Sequence, residues 1–500
     1  MVFIEFVNEK PAQHHDGVLP PPLSFTSVAP SSPVSLAQVC KRWQTIARSI
    51  PQLWTNITLI LPYNRDLRYT SISSILHIAR ECLDRSGVLP LKLDITATTP
   101  SWRIPERFDP TRALLTMLCK HSSRWRDVTL VLRQFDVFPA LDEGCFTALE
   151  SLTVHTMSNT PNQILPRSPQ FMRALETAPK LRKVFIEDGE LLAWPLPWAQ
   201  LTALRLDNFN LGRSDTIRLS SKTAILDVLR KYSSLKDLEL KLICNKAPID
   251  LSQAHTIPVD VDLHCLQTLR ILVDTQTICE NLLRFIRAPC LRLLHIRFRH
   301  DWHELSQSWD MFKNTVKGRV ATLDTLSLAS MGASQSHPFI DQYLPVITIS
   351  PILLPATNLR VLECHTSEII PEFLSSLILR FTPTDKLASG QNTRLVEIRV
   401  LPSCGEKPLF DSPMEPINRL LGLLLDVAES RWWLPEGVLV GDNNVQKLRA
   451  FDIGPWGHEI EMGNERVEEQ IRKRYMALKE GGFLFSVKDR ILELNASENE

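Results

Sequence analysis

Leu291-Arg292-Leu293-Leu294-His295-Ile296 carries an aliphatic residue at its first, fourth and sixth positions, and that spacing decides the fold. It recurs at Leu149–Val154, Leu181–Ile186, Leu201–Leu206, Leu235–Leu240, Leu266–Ile271, Leu323–Leu328, Leu359–Cys364 and Leu395–Val400, with starts 20 to 36 residues apart. Trp125–Leu130 and Leu448–Ile453 are weaker copies toward the two ends. In an extended chain successive side chains face opposite sides, so the aliphatic positions share one face and the residues between them share the other. Each copy predicts a short strand with a leucine-rich inner side.

Helical spacing fills the intervals. Ile225, Val228, Leu229 and Tyr232 form one apolar stripe, Ile278, Leu282, Leu283 and Ile286 a second, and Phe373, Leu374, Leu377 and Ile378 a third. Strand and helix alternating at a fairly steady period predict an α/β solenoid, with parallel strands on the concave side and helices on the convex side. A doubly wound α/β sheet also alternates strands and helices. Its central strands favour runs of Val and Ile, whereas these strands are leucine-based. No glycine-rich turn follows any copy, and the chain holds 17 glycines in all. The solenoid is the expected architecture.

Toward the N-terminus the pattern changes. Met1–Val7 is apolar, and Asn8–Pro33 is rich in Pro, Ser and His, which reads as a flexible leader. From Ser35, a suitable N-cap, the residues Leu36, Val39, Cys40, Trp43, Ile46 and Ala47 predict one amphipathic helix stopped by Pro51. Leu53, Trp54, Ile57 and Leu59 follow as a compact cluster, and Trp43 and Trp54 are expected to bind these helices into a satellite core. At the other end Ile417–Trp433 predicts an apolar helix, Leu448–Ile453 a last strand, and Val467, Ile471, Tyr475 and Leu478 a capping helix.

Val39-Cys40-Lys41-Arg42-Trp43, then Ile46-Ala47, then Pro51-Gln52-Leu53-Trp54 resembles the second half of an F-box-like domain, especially the fungal set in which that domain precedes irregular leucine-rich repeats. The resemblance implies a substrate receptor that docks a Skp-type adaptor and, through it, a cullin, with ubiquitin transferred by partner subunits. The alternative is a repeat scaffold that no longer contacts the adaptor. The family's opening helix has no good counterpart. Leu19-Pro20 runs into Pro21 and Pro22, whereas Phe3, Ile4, Phe6 and Val7 read as the tail of that helix, so that the chain begins inside the domain. The resulting plan is a leader over 1–34, an F-box-like helical module over 35–62, an irregular leucine-rich-repeat solenoid over 63–410, and a closing repeat with capping helices over 411–500. Such repeats often carry an Asn or Cys three positions after the last leucine of the pattern. Met157, Phe209, Ile243, Arg299, Met331 and Ser367 stand there instead, so the turns must find other partners.

Function classes narrow further. Lys plus Arg and Asp plus Glu each number 56, which gives no basic field for nucleic acid or anionic lipid. No apolar run approaches the roughly 20 residues that span a bilayer, and Met1–Val7 is too short for a signal core and lacks a basic start, so the expected place is cytoplasmic or nuclear. Ten scattered cysteines, with no C-x-x-C pair, read as buried free thiols in a reducing compartment. Phosphate-cradling, dinucleotide and nucleophile-elbow motifs are missing, and His300-Asp301-Trp302-His303-Glu304 reads as a polar loop. No catalytic, cofactor-binding or metal residue is assigned, and the chain is expected not to be an enzyme. The expected partner face is the row between the leucines, where acidic Asp237 and Glu239 lie beside Arg270, His295 and Arg297. Such patches steer a charged protein partner; the plain alternative is a solvated sheet face.

Overall fold

A computed structural model of the chain describes residues 33–61, 69–97, 110–132, 138–156, 169–187, 194–207, 226, 229–232, 234–242, 260–273, 283, 285–298, 322–330, 358–365, 371–381, 387–389, 394–401, 414–434, 445–452 and 469–485. The chain divides between Leu235 and Lys236 into two compact units. The division falls inside the stretch that the sequence reads as one array.

The first unit runs α1 (Pro33–Val39), α2 (Lys41–Ser49), a 3-10 turn (Pro51–Trp54), β1 (Asn56–Leu61), α3 (Tyr69–Arg85), β2 (Leu91–Ala97), α4 (Pro110–Cys119), β3 (Trp125–Leu132), β4 (Ser151–Thr156), α5 (Pro169–Glu176), β5 (Lys183–Glu187) and β6 (Ala203–Asp207). Strands β1 to β6 lie side by side in chain order, each parallel to the next. This is the pairing that strand–helix alternation demands, since a parallel neighbour needs a crossover.

The second unit repeats the scheme. Its elements are β7 (Asp237–Leu242), β8 (Val261–Asp262), β9 (Thr268–Val273), β10 (Ile286–Arg287), β11 (Leu293–Phe298), β12 (Thr325–Ser330), β13 (Val361–His365), α6 (Pro371–Leu377), β14 (Arg380–Phe381), β15 (Leu387–Ser389), β16 (Glu397–Leu401), α7 (Met414–Trp432), β17 (Ala450–Asp452), α8 (Glu469–Glu480) and β18 (Leu484–Phe485). The parallel sheet follows the order β7-β9-β11-β12-β13-β16-β17-β18, while β8 pairs with β10 and β14 with β15 as short side ribbons.

Burial follows the leucine spacing. Leu181, Leu201, Leu266, Leu291, Leu323, Leu359, Leu395 and Leu448, all at the first position, are buried, as are Leu152, Val184, Leu204, Leu238, Leu269, Leu294, Leu326, Leu362 and Ile398 at the fourth. Each buried leucine contributes about 1.5–3 kcal/mol relative to exposure.

The turns hold together without an Asn ladder. In eight of the copies the carbonyl after the first leucine accepts two successive N–H groups from the next strand segment. Glu150 O takes Arg182 and Lys183, Arg182 O takes Thr202 and Ala203, Lys236 O takes Gln267 and Thr268, and Gln267 O takes Arg292 and Leu293. Arg292 O, Asp324 O, Arg360 O and Val396 O continue the series, with all these contacts between 2.7 and 3.3 Å. Side chains add local ties. Arg124 donates to Leu89 O and to Ser86 Oγ behind α3, and Gln200 Nε2 donates to Ala178 O.

Several expectations need correction. The helix expected from Ser35 through Ala47 is two helices, because Cys40 is extended (φ −161°, ψ 168°) and breaks it. Ile286, read as part of a helical stripe, lies in β10 against Val261. Leu226 and Leu229 are helical and buried, as is Leu283, while Ile225, Val228, Ile278 and Leu282 lie outside the described residues. The strand at Ala450–Asp452 is not the last; α8 leads through Gly482, at positive φ, into β18. Helix α8 buries Ile471, Tyr475 and Leu478, and Val467 is outside the described residues. Among the described residues no helix is long and apolar enough to cross a membrane.

Candidate functional site

Two places merit attention: the paired helices at the N-terminal end, and the polar row across the sheet.

Helices α1 and α2 pack on each other around the break at Cys40. Leu36, Ala47, Leu53 and Trp54 are buried, Ile46 and Pro51 are half-buried, and Cys40, Val39 and Trp43 are exposed, the last two by 63% and 37%. Trp43 is thus partly open to solvent, whereas Trp54 is buried. The Trp54 indole Nε1 donates to Ala47 O at 2.7 Å inside the core, and the Arg85 guanidinium covers its ring at 4.4 Å.

The sheet presents registered rows of intervening residues. In the first unit one row reads Thr58, Asp94, Thr129, Thr153, Phe185 and Arg205. Arg205 stacks over Phe185 at 4.5 Å, His155 meets Phe185 edge-on, and His155 Nδ1 bonds Glu187. Burial raises the pKa of Asp94, against the lowering pull of Lys92 and His155.

In the second unit the corresponding row reads Glu239, Arg270, His295, Ser327, Glu363 and Arg399. Asp237 stands one position earlier, opposite Thr268. Asp237 and Arg270 are exposed, and Glu239 and His295 are half-buried. Arg297 is buried, with Leu272 and Ala329 as its register neighbours. The expected basic trio is thus altered. Desolvation, with Arg297 and Arg270 adding to it, lowers the His295 pKa to about 3, so its ring is neutral near pH 7. A charge that spacing alone assigns is absent once burial, with Arg297 on the same strand and Arg270 on β9 adding to it, disfavours the proton.

Farther along the row, Ser327 Oγ donates to Glu363 Oε1 at 2.8 Å, and Arg399 donates to Glu363 Oε2 at 3.3 Å and to Glu397 Oε1 at 2.7 Å. Burial opposes the Arg399 charge, but its bonds to Glu397 and Glu363 outweigh that and raise its pKa. These residues sit in the expected row yet were not singled out, because pairing at a distance of 36 residues leaves no mark on local spacing.

Residues 25–60 match the F-box-like family. No curated protein matches the chain. The F-box-like match takes in α1, α2, the 3-10 turn and most of β1, so the domain ends inside the parallel sheet. Trp125, at the head of β3, repeats the arrangement of Trp54: its indole donates to Leu118 O in the preceding helix, seven residues back in both cases. Trp54-Thr55-Asn56-Ile57-Thr58-Leu59 is thereby a copy of Trp125–Leu130. Thr55 O accepts from Lys92 N just as Arg126 O accepts from Glu150 N. The tail of the F-box-like domain is also the first rung of the sheet.

No group of three or more His, Cys, Asp or Glu able to hold a metal occurs among the described residues. The 300–304 cluster lies outside them, as do Phe3, Ile4, Phe6 and Val7.

Proposed function

We propose that this chain is a non-catalytic recognition subunit, a substrate receptor for an SCF-type cullin–RING ubiquitin ligase in the cytoplasm or nucleus. The F-box-like domain docks a Skp-type adaptor, and the adaptor joins the cullin. The downstream units are irregular leucine-rich repeats stacked as a curved solenoid, whose row of intervening side chains binds the protein substrate. Ubiquitin chemistry belongs to partner subunits, and no residue of this chain takes part in it.

One observation carries the reading: the matched F-box-like segment keeps Val39 and Trp43 exposed while buried Trp54 bonds the end of α2 and lies under Arg85 of α3. Exposed large apolar side chains on a short helical module mark a docking surface, and Trp is enriched among binding hot spots. On the substrate side, exposed Asp237 and Arg270 with half-buried Glu239 offer both signs of charge within neighbouring rungs. That arrangement favours register and partner choice over raw affinity.

The reading is tested by co-expressing the full chain with a Skp-type adaptor and measuring the complex by gel filtration and calorimetry. A stable complex is expected. The double substitution Val39→Ser with Trp43→Ala is expected to weaken it by about 30-fold, the size of one lost hot spot. Failure of the unaltered chain to bind the adaptor contradicts the proposal and favours a plain protein-binding scaffold.

A further inference from the structure

Two segments of the second unit share a pattern. Val261-Asp262-Leu263-His264-Cys265-Leu266-Gln267-Thr268-Leu269 matches Ile286-Arg287-Ala288-Pro289-Cys290-Leu291-Arg292-Leu293-Leu294, and the structure lays one alongside the other. The offset is 25 residues before the turn, where Ile286 pairs with Val261, and again after it, where Leu293 pairs with Thr268. The two turns are built alike. Leu266 N–H donates to Leu263 O, and Leu291 N–H donates to Ala288 O, both at 3.1 Å. They are stitched together on each side, by Leu263 N to Arg287 O at 2.8 Å and by Arg292 N to Gln267 O at 2.9 Å.

Cys265 and Cys290 occupy the same position in these two turns, each just before a buried leucine, and both are exposed. This corrects the expectation of uniformly buried thiols. Bonded neighbouring chains run about 4.8 Å apart, and a disulfide spans Cα separations of roughly 4.4–6.8 Å. The register on both sides of the turns thus places Cys265 and Cys290 at matching positions of neighbouring chain segments.

We propose that Cys265 and Cys290 form an oxidation-sensitive dithiol that closes into an intrachain disulfide. With a peroxide as oxidant, one thiolate attacks the O–O bond, becomes a sulfenic acid and releases water. The second thiol then attacks that sulfur and expels a second water. Two thiols and one hydrogen peroxide give one disulfide and two waters, with the peroxide oxygens reduced. The closed bond staples β9 to β11, the strands that carry Arg270 and His295. Other cysteines differ in setting. Cys82 and Cys119 are buried and their thiols are pushed up to about 12, which withholds the reactive thiolate. The proposal stands independently of the receptor reading.

The full chain, reduced and then treated with hydrogen peroxide, is alkylated, digested and mapped by mass spectrometry without reductant. The expected product is one peptide pair joined through Cys265 and Cys290, two hydrogens lighter than the reduced pair and released by dithiothreitol. Oxidation is expected to raise Tm by roughly 5 °C, an increase lost in both Cys265→Ser and Cys290→Ser. Serine at either exposed position removes no buried contact, so both variants fold. Recovery of both cysteines singly alkylated or singly oxidised, or joined only between molecules, overturns the proposal.

Discussion

Trp54 and Trp43 show what a single side chain reveals and what it conceals. Both lie in the F-box-like match, both are large and apolar, and the sequence gives them equal weight as core. Trp54 is buried and Trp43 is 37% exposed, and the extended backbone at Cys40 interrupts the helical stripe between Val39 and Trp43. Trp54 also bonds Ala47 O through its indole. Trp54→Phe keeps the packing and leaves that carbonyl without its donor; urea unfolding is expected to show a loss of about 1–3 kcal/mol. Trp54→Ala also empties the pocket, with an expected loss of about 3–5 kcal/mol. Equal losses for the two variants would mean that the ring fills no real cavity.

His295 allows a second test at the same scale. Its folded pKa is about 3 against an ordinary 6.5, so below pH 6.5 the unfolded chain gains a proton that the folded chain refuses. Its contribution to stability is complete above pH 6.5 and falls away as the pH drops toward 3. The facing groups are Arg270 on β9, Ser327 on β12 and Arg297 on its own strand. His295→Gln is expected to flatten the acid limb of a stability–pH curve measured by urea titration between pH 4 and 7. An unchanged limb would show that the ring is protonated in the folded protein.

At the scale of elements, the strands were largely legible in advance and their connections were not. First- and fourth-position leucines predict strands because two-residue periodicity and burial coincide, and β4 to β7, β9, β11, β12, β13 and β16 all lie on the predicted copies. β2 was missed for a physical reason. The register slips between Leu91 and Lys92 against β3, so the copy lacks one residue between its first two leucines and no longer fits the template. Contacts between helices distant in sequence were equally hidden. Arg431 of α7 is fully buried and donates from Nε and Nη2 to Leu377 O, the last carbonyl of α6, at 3.0 and 2.8 Å. Burial pushes its pKa down to about 9. Arg431→Met keeps an aliphatic stem but removes both donors, and thermal or urea unfolding is expected to show a loss of about 1–3 kcal/mol. A neutral result would remove Arg431 from the account of how α6 is held. Helix α8 is tied to α7 by Arg474, which bonds Asp426 and Glu429 at 2.5 to 2.8 Å.

At the scale of the whole molecule, what matters is that one carbonyl per rung accepts the next rung's paired N–H groups in both units. That ladder supplies what a side-chain Asn ladder would otherwise supply, and no residue type announces it, since the acceptors are backbone atoms of Glu150, Arg182, Lys236, Gln267, Arg292, Asp324, Arg360 and Val396. The F-box-like match ends within β1, the strand that pairs with β2 at the start of the parallel sheet.

The most direct measurement is affinity purification of the full chain from cells with mass-spectrometric scoring of adaptor, cullin and client, run beside Val39→Ser with Trp43→Ala and beside Asp237→Arg with Arg270→Glu. The account predicts that the unaltered chain recovers adaptor, cullin and at least one reproducible client, that the helix variant loses adaptor and cullin but keeps the client, and that the sheet variant does the reverse. Recovery of clients with neither adaptor nor cullin, from the unaltered chain, would contradict it.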